Sequence, residues 1–66
     1  MQIYDFVKSE LDMFRRECNF TEEELQFFNL RSSGLTIEVI AEQMNISVGK
    51  ANILSKKVKK KMIRVV

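Results

Sequence analysis

Histidine, tryptophan and proline are absent from this 66-residue chain, which holds one cysteine and two glycines. Each shortage excludes something. With no histidine and only Cys18, neither an internal disulfide nor a zinc site of the usual Cys/His kind can be built, and no metal or other cofactor is expected. Cys18 also lacks an imidazole to activate it, and the chain has no glycine-rich phosphate loop. There is therefore no nucleophile–base pair to propose, and enzymatic chemistry is not expected. Without proline, and with glycine only at 34 and 49, the chain has little material for long loops. That argues for helices joined by brief turns, an all-α fold.

Long apolar runs are missing as well. Charge interrupts the hydrophobic residues every two or three positions, and the first residues lack a signal-like basic start. A membrane partner is not expected, and the single unpaired cysteine suits a reducing cytoplasm, bacterial in style or phage-encoded. The last deficit is of one charge sign. Residues 45 to 66 carry seven basic side chains and no acidic one, whereas residues 1 to 44 carry four basic and nine acidic. A net charge of +2 thus hides a polarised molecule whose C-terminal third attracts polyanions.

What the chain does have is apolar content, 45% with five Phe and four Met. A core of that kind is needed at this size, where a single domain is marginal unless it is rich in apolar groups or shared with a partner chain. One compact four-helix domain over residues 1 to 66 is the expectation. A first, supporting helix is read over residues 2 to 18, with Tyr4, Val7, Leu11, Phe14 and Cys18 on its inward stripe and Ile3 beside it. Phe6 and Met13 lie seven residues apart on a second face, which either caps the core or meets a second copy of the chain.

A second helix is read over residues 21 to 33. Thr21 is its N-cap, Glu24 the capping-box partner, and Glu22, Glu23 and Glu24 face the positive end of the helix dipole. Phe20 is placed to staple onto Leu25, while Leu25, Phe28 and Leu30 point inward. Gly34 supplies the left-handed residue that ends the helix. Thr36 then caps a third helix over residues 36 to 44, with Ile37, Ile40, Ala41 and Met44 inward. Asn45-Ile46-Ser47 follows as a tight turn: Asn45 tolerates positive φ, Ile46 plugs the angle between helices, and Ser47 caps the fourth helix, residues 47 to 63. The small Ala41 suits a close crossing.

This pair of helices, with its three-residue junction, reads as a helix-turn-helix. The second of them buries Ala51, Leu54, Val58 and Met62, and its opposite face collects Gly49, Asn52, Ile53, Lys56, Lys59 and Lys60, with Lys50, Lys57 and Lys61 at its borders. A lysine face on the second helix of such a pair has the geometry that enters a DNA major groove. The candidate phosphate contacts are Lys56, Lys57, Lys59, Lys60 and Lys61; the candidate base contacts are Ser47, Val48, Gly49, Lys50, Asn52 and Ile53.

From Phe20 to Met62 the chain resembles, without gaps, the helix-turn-helix domains of LuxR/GerE response regulators and of region 4 of sigma-70 factors. The residues that carry the likeness are Phe20-Thr21-x-x-Glu24, Gly34-Leu35, Ile40-Ala41-Glu42, Asn45-Ile46-Ser47, Ala51, Val58 and Lys60-Lys61-Met62. The resemblance implies a helix-turn-helix fold and sequence-specific binding of double-stranded DNA by a small transcriptional regulator. It differs where sigma region 4 carries an Arg- and Gln-rich reading surface, since Val48, Gly49, Lys50, Asn52 and Ile53 stand there. A counterpart of the LuxR-type dimerisation helix is not expected. A homodimer through Phe6, Met13, Ile63, Val65 and Val66 is the expected route to two half-sites. The alternative reading is a protein-interaction module of the sigma region 4 type, binding RNA polymerase or a sigma factor.

Overall fold

The first helix breaks where a continuous one was expected. The computed structural model describes residues 3–65, in which a 3-10 turn, Ile3–Asp5, precedes α1, Lys8–Glu17. Residue 2, the expected start, lies outside the described residues. Val7 is extended (φ −76°, ψ 164°), and its N–H donates to Glu10 Oε1 at 3.1 Å, so Glu10 closes the start of α1 although Val7 has no capping oxygen of its own. The break turns the stripe: Ile3 is fully buried, whereas Tyr4 and Val7 are exposed, which corrects their assignment to the core.

Three further helices follow: α2, Glu22–Ser32; α3, Ile37–Met44; and α4, Val48–Val65. No strand occurs among the described residues, so the fold is all-α, as expected. Thr21 Oγ1 accepts the Glu24 N–H (3.2 Å) while Glu24 Oε1 accepts the Thr21 N–H (2.9 Å), completing the reciprocal capping box. Gly34, at φ +90°, ends α2. Thr36 and Ser47 cap α3 and α4 through the N–H groups of Val39 and Lys50. Asn45 sits at φ 58°, ψ 45°, in the left-handed region. Around it the Ile46 N–H donates to the Ala41 carbonyl (2.9 Å) and the Asn45 N–H to that of Glu42 (3.2 Å), the paired bonds of a Schellman motif. The turn between α3 and α4 is thereby fixed by local chemistry.

The inward face of α2 is rotated from the expected one. Phe27 and Phe28 are fully buried and Leu25 is exposed, because the buried Glu24 occupies the inward position one turn before Phe27 and Phe28. Phe20 packs on Phe28, with ring centroids 5.0 Å apart and the rings tilted. Phe14 packs edge-on to Phe28 at 6.4 Å and to Phe6 at 5.0 Å, so four rings form one chain through the core. Such pairs contribute about 0.5–1.5 kcal/mol each beyond area burial. Ile40 and Ala41 of α3 and Ala51, Leu54, Val58 and Met62 of α4 complete the buried cluster, as read from their spacing. The Cα radius of gyration, 10.9 Å, matches the roughly 10.8 Å of a folded chain of this length.

Candidate nucleic-acid interface

An 18-residue helix is about 27 Å long, and α4 buries only one side over that length. Its remaining surface is the candidate site. At the N-terminal end Ser47 Oγ accepts the Lys50 N–H at 3.1 Å, which spends an acceptor lone pair on the cap and leaves the hydroxyl proton for an outside group. Val48, Gly49, Asn52 and Ile53 are all exposed, so the structure brings together every uncharged candidate base contact on one end of α4. Gly49 has no packing reason to be glycine. A Cβ built there would meet only Ser47 Oγ, at 3.9 Å, an ordinary contact. The roughly 1 kcal/mol by which glycine weakens a helix relative to alanine is thus uncompensated inside the protein.

The lysines divide into two sets. Lys50 and Lys61, about three helical turns apart, both reach the acidic first turn of α2. Lys50 Nζ lies 3.2 Å from Glu23 Oε2, with both side chains about half exposed. Lys61 Nζ donates to Glu24 Oε1 and to the Asn19 carbonyl (3.3 Å). Glu24 is only 5% exposed. Burial pushes its carboxyl pKa up, but the bonds from Lys61 and from the Thr21 N–H and hydroxyl outweigh that and hold it below the ordinary value. This corrects the place of Lys61: its ammonium is committed to a buried carboxylate and holds α4 against α2, so it leaves the phosphate-contact set. Asn19 helps by turning its carbonyl toward Lys61 from a left-handed conformation, φ 52°.

The second set is Lys56, Lys57, Lys59 and Lys60, none of which forms an ion pair among the described residues. Arg64 joins them. It is exposed, has no acidic partner among the described residues and lies on the outer side of α4. It is missing from the phosphate contacts read from sequence, although the 3.6-residue period extended from Lys57 and Lys60 reaches it. Two basic groups of the N-terminal part, Arg15 and Arg31, are engaged elsewhere. Arg15 lies over the Phe28 ring (5.4 Å) and bonds Asn29 and Asp12, both at 2.7 Å; Arg31 lies over the Tyr4 ring (4.9 Å) and donates to the Leu35 carbonyl.

Comparison with protein-family models, curated proteins and solved structures finds no match to this chain.

The candidate dimer contacts scatter. Phe6 and Met13 are half-buried against the core, Val65 likewise, and only Ile63 is well exposed, at 61%. Val66 lies outside the described residues. Phe6 precedes α1 and Met13 lies on it, so the break in the first helix separates the two residues that a continuous helix would have placed on one face. Cys18 is buried, and its thiol pKa is raised by that burial, reinforced by Glu17 and opposed by Lys61, which suits a core residue. Near it Glu17, Cys18, Asn19, Lys61, Arg64 and Val65 line an open hollow of about 400 Å³. Among the described residues no group of three or more His, Cys, Asp or Glu is placed to hold a metal ion, and no helix is long and apolar enough to cross a membrane.

Proposed function

We propose that this chain binds double-stranded DNA as a small sequence-specific transcriptional regulator, with α4 in the major groove. The observation that supports it is the outer face of α4. Five cations, Lys56, Lys57, Lys59, Lys60 and Arg64, stand there without an acidic partner among the described residues, on the second helix of a pair joined by a three-residue turn. A face that merely kept the protein soluble would mix signs. In this reading these cations neutralise phosphates and release counterions, which supplies affinity without sequence information. Ser47, Val48, Gly49 and Asn52, with Ile53, read the base edges, and Asn52 pairs with adenine through its amide. Lys50 reaches a phosphate or guanine only by leaving Glu23, a cost of under about 1 kcal/mol for an exposed pair.

Two chains on half-sites one helical turn apart would supply specificity that one helix rarely achieves, and exposed Ile63 is the remaining candidate for that contact. The exposed aliphatic groups Val48, Ile53 and Ile63 favour a second reading, in which the same face binds RNA polymerase or a sigma factor. Fluorescence anisotropy with a labelled mixed-sequence duplex, beside a pull-down with purified polymerase, separates the two. Micromolar or tighter binding to the duplex at low salt is the expected result. Capture of polymerase with no duplex binding would favour the second reading.

A further inference from the structure

We infer that the base-reading end of α4 selects A·T pairs, with Ile53 and Val48 packed on thymine methyl groups; the inference rests on the DNA-binding reading above. The starting point is chemistry misplaced for a purely ionic surface. Ile53 is 53% exposed and Val48 45%, within two turns of the N-terminus of a helix with five cations that form no ion pair among the described residues. A phosphate gains nothing from an aliphatic neighbour. Among base edges in the major groove, the C5 methyl of thymine is the apolar group, and it lies where a side chain of that reach finds it.

The other groups at this end agree. Asn52 is exposed, and its amide matches the N6/N7 edge of adenine, the partner base of thymine. Guanine is ordinarily read by a bidentate Arg or by Lys, and the first two turns of α4 hold no Arg. The one lysine there, Lys50, is paired with Glu23 at 3.2 Å. Arg64, at the far end of the helix, lies about 16 Å beyond Ile53 along the axis. Apart from Lys50, which meets guanine only by giving up Glu23, the base-reading groups are two aliphatic side chains, an amide, a hydroxyl and the backbone at Gly49. That set complements A·T pairs and offers little to G·C.

The test uses the full chain and four duplexes of equal length and phosphate number: alternating dA-dT, the same with deoxyuridine for thymidine, alternating dG-dC, and the last with 5-methylcytosine. Deoxyuridine removes only the methyl group. Burial of one methyl corresponds to roughly fourfold in affinity. The expected order is therefore dA-dT tighter than dA-dU by about four- to fifteenfold, with 5-methylcytosine recovering part of the loss seen on dG-dC. Ile53→Ser, a substitution at an exposed position, should shrink the dT/dU difference, weakening binding to dA-dT more than to dA-dU. Equal binding to dA-dT and dA-dU, or a dT/dU difference untouched by Ile53→Ser, overturns this inference alone. Failure to bind any of the four duplexes at low salt overturns the DNA-binding reading itself.

Discussion

Replacing Lys61 with Met keeps its aliphatic stem and removes its charge, leaving the Glu24 carboxylate buried without its cation. Breaking a buried ion pair from one side costs about 3–5 kcal/mol. Here the figure is reduced, because the Lys61 side chain is 29% exposed and Glu24 keeps the Thr21 N–H at 2.9 Å. About 2–3 kcal/mol at pH 7 is the expected loss. A domain of this size has about 3–5 kcal/mol in total, so a urea midpoint followed by circular dichroism should fall by about half or more. Glu24→Gln in the Lys61→Met background should return a large part of the loss, since it replaces an unpaired buried charge with a neutral amide. The pH dependence has a definite sign. The folded pKa of Glu24 is lowered, so the pair's contribution is fully present above the unfolded carboxylate value of about 4.3 and is lost as pH falls through the lower folded value. The gap between wild type and Lys61→Met should therefore narrow in acid. A Lys61→Met midpoint within about 0.5 kcal/mol of wild type at neutral pH would refute the reasoning.

Other substitutions test other parts of the account. Asn45→Ala forces a Cβ-bearing residue without a helpful side chain into φ 58° and should cost about 1–2 kcal/mol, whereas Asn45→Gly should be close to neutral; equal losses in thermal melts would contradict the turn geometry. Phe27→Ala should cost about 3–5 kcal/mol and Leu25→Ala under about 1 kcal/mol by urea titration, and the reverse order would restore the α2 register first expected from sequence. Gly49→Ala should raise the melting temperature, since the new methyl meets only Ser47 Oγ at 3.9 Å. The same variant should weaken DNA binding; unchanged affinity would mean that no backbone approach occurs there.

Local signals carried most of the fold. Thr21, Thr36 and Ser47 cap where their hydroxyls predicted, Gly34 and Asn45 hold positive φ, and Ala51, Leu54, Val58 and Met62 form the buried stripe of α4. Each of these depends on neighbours within four residues. The misreading of α2 depends on a partner far along the chain. Glu24 reads as an outward first-turn acid until Lys61, 37 residues later, neutralises it, and only then does the α2 face settle on Phe27 and Phe28. The break before α1 was hidden because Val7 offers no capping oxygen; the trace it left was Glu10, half of a capping box. In the candidate site the absence of acids along α4 was legible, but the acids that approach it in space were not. Glu23 and Glu24 remove Lys50 and Lys61 from the free set, while Arg64 enters it.

The central claim is that α4 engages DNA through its unpaired cations, and the salt dependence of binding to a mixed-sequence duplex measures that engagement directly. If four to five of Lys56, Lys57, Lys59, Lys60 and Arg64 meet phosphates, log K should fall against log salt with a slope of roughly −4 per chain, at about 0.9 for each contact. Lys56→Gln together with Lys60→Gln should bring the slope to roughly −2, while Lys61→Arg, which preserves the bond to Glu24, should leave it unchanged. A slope near zero, or one that the double substitution does not alter, would contradict the account.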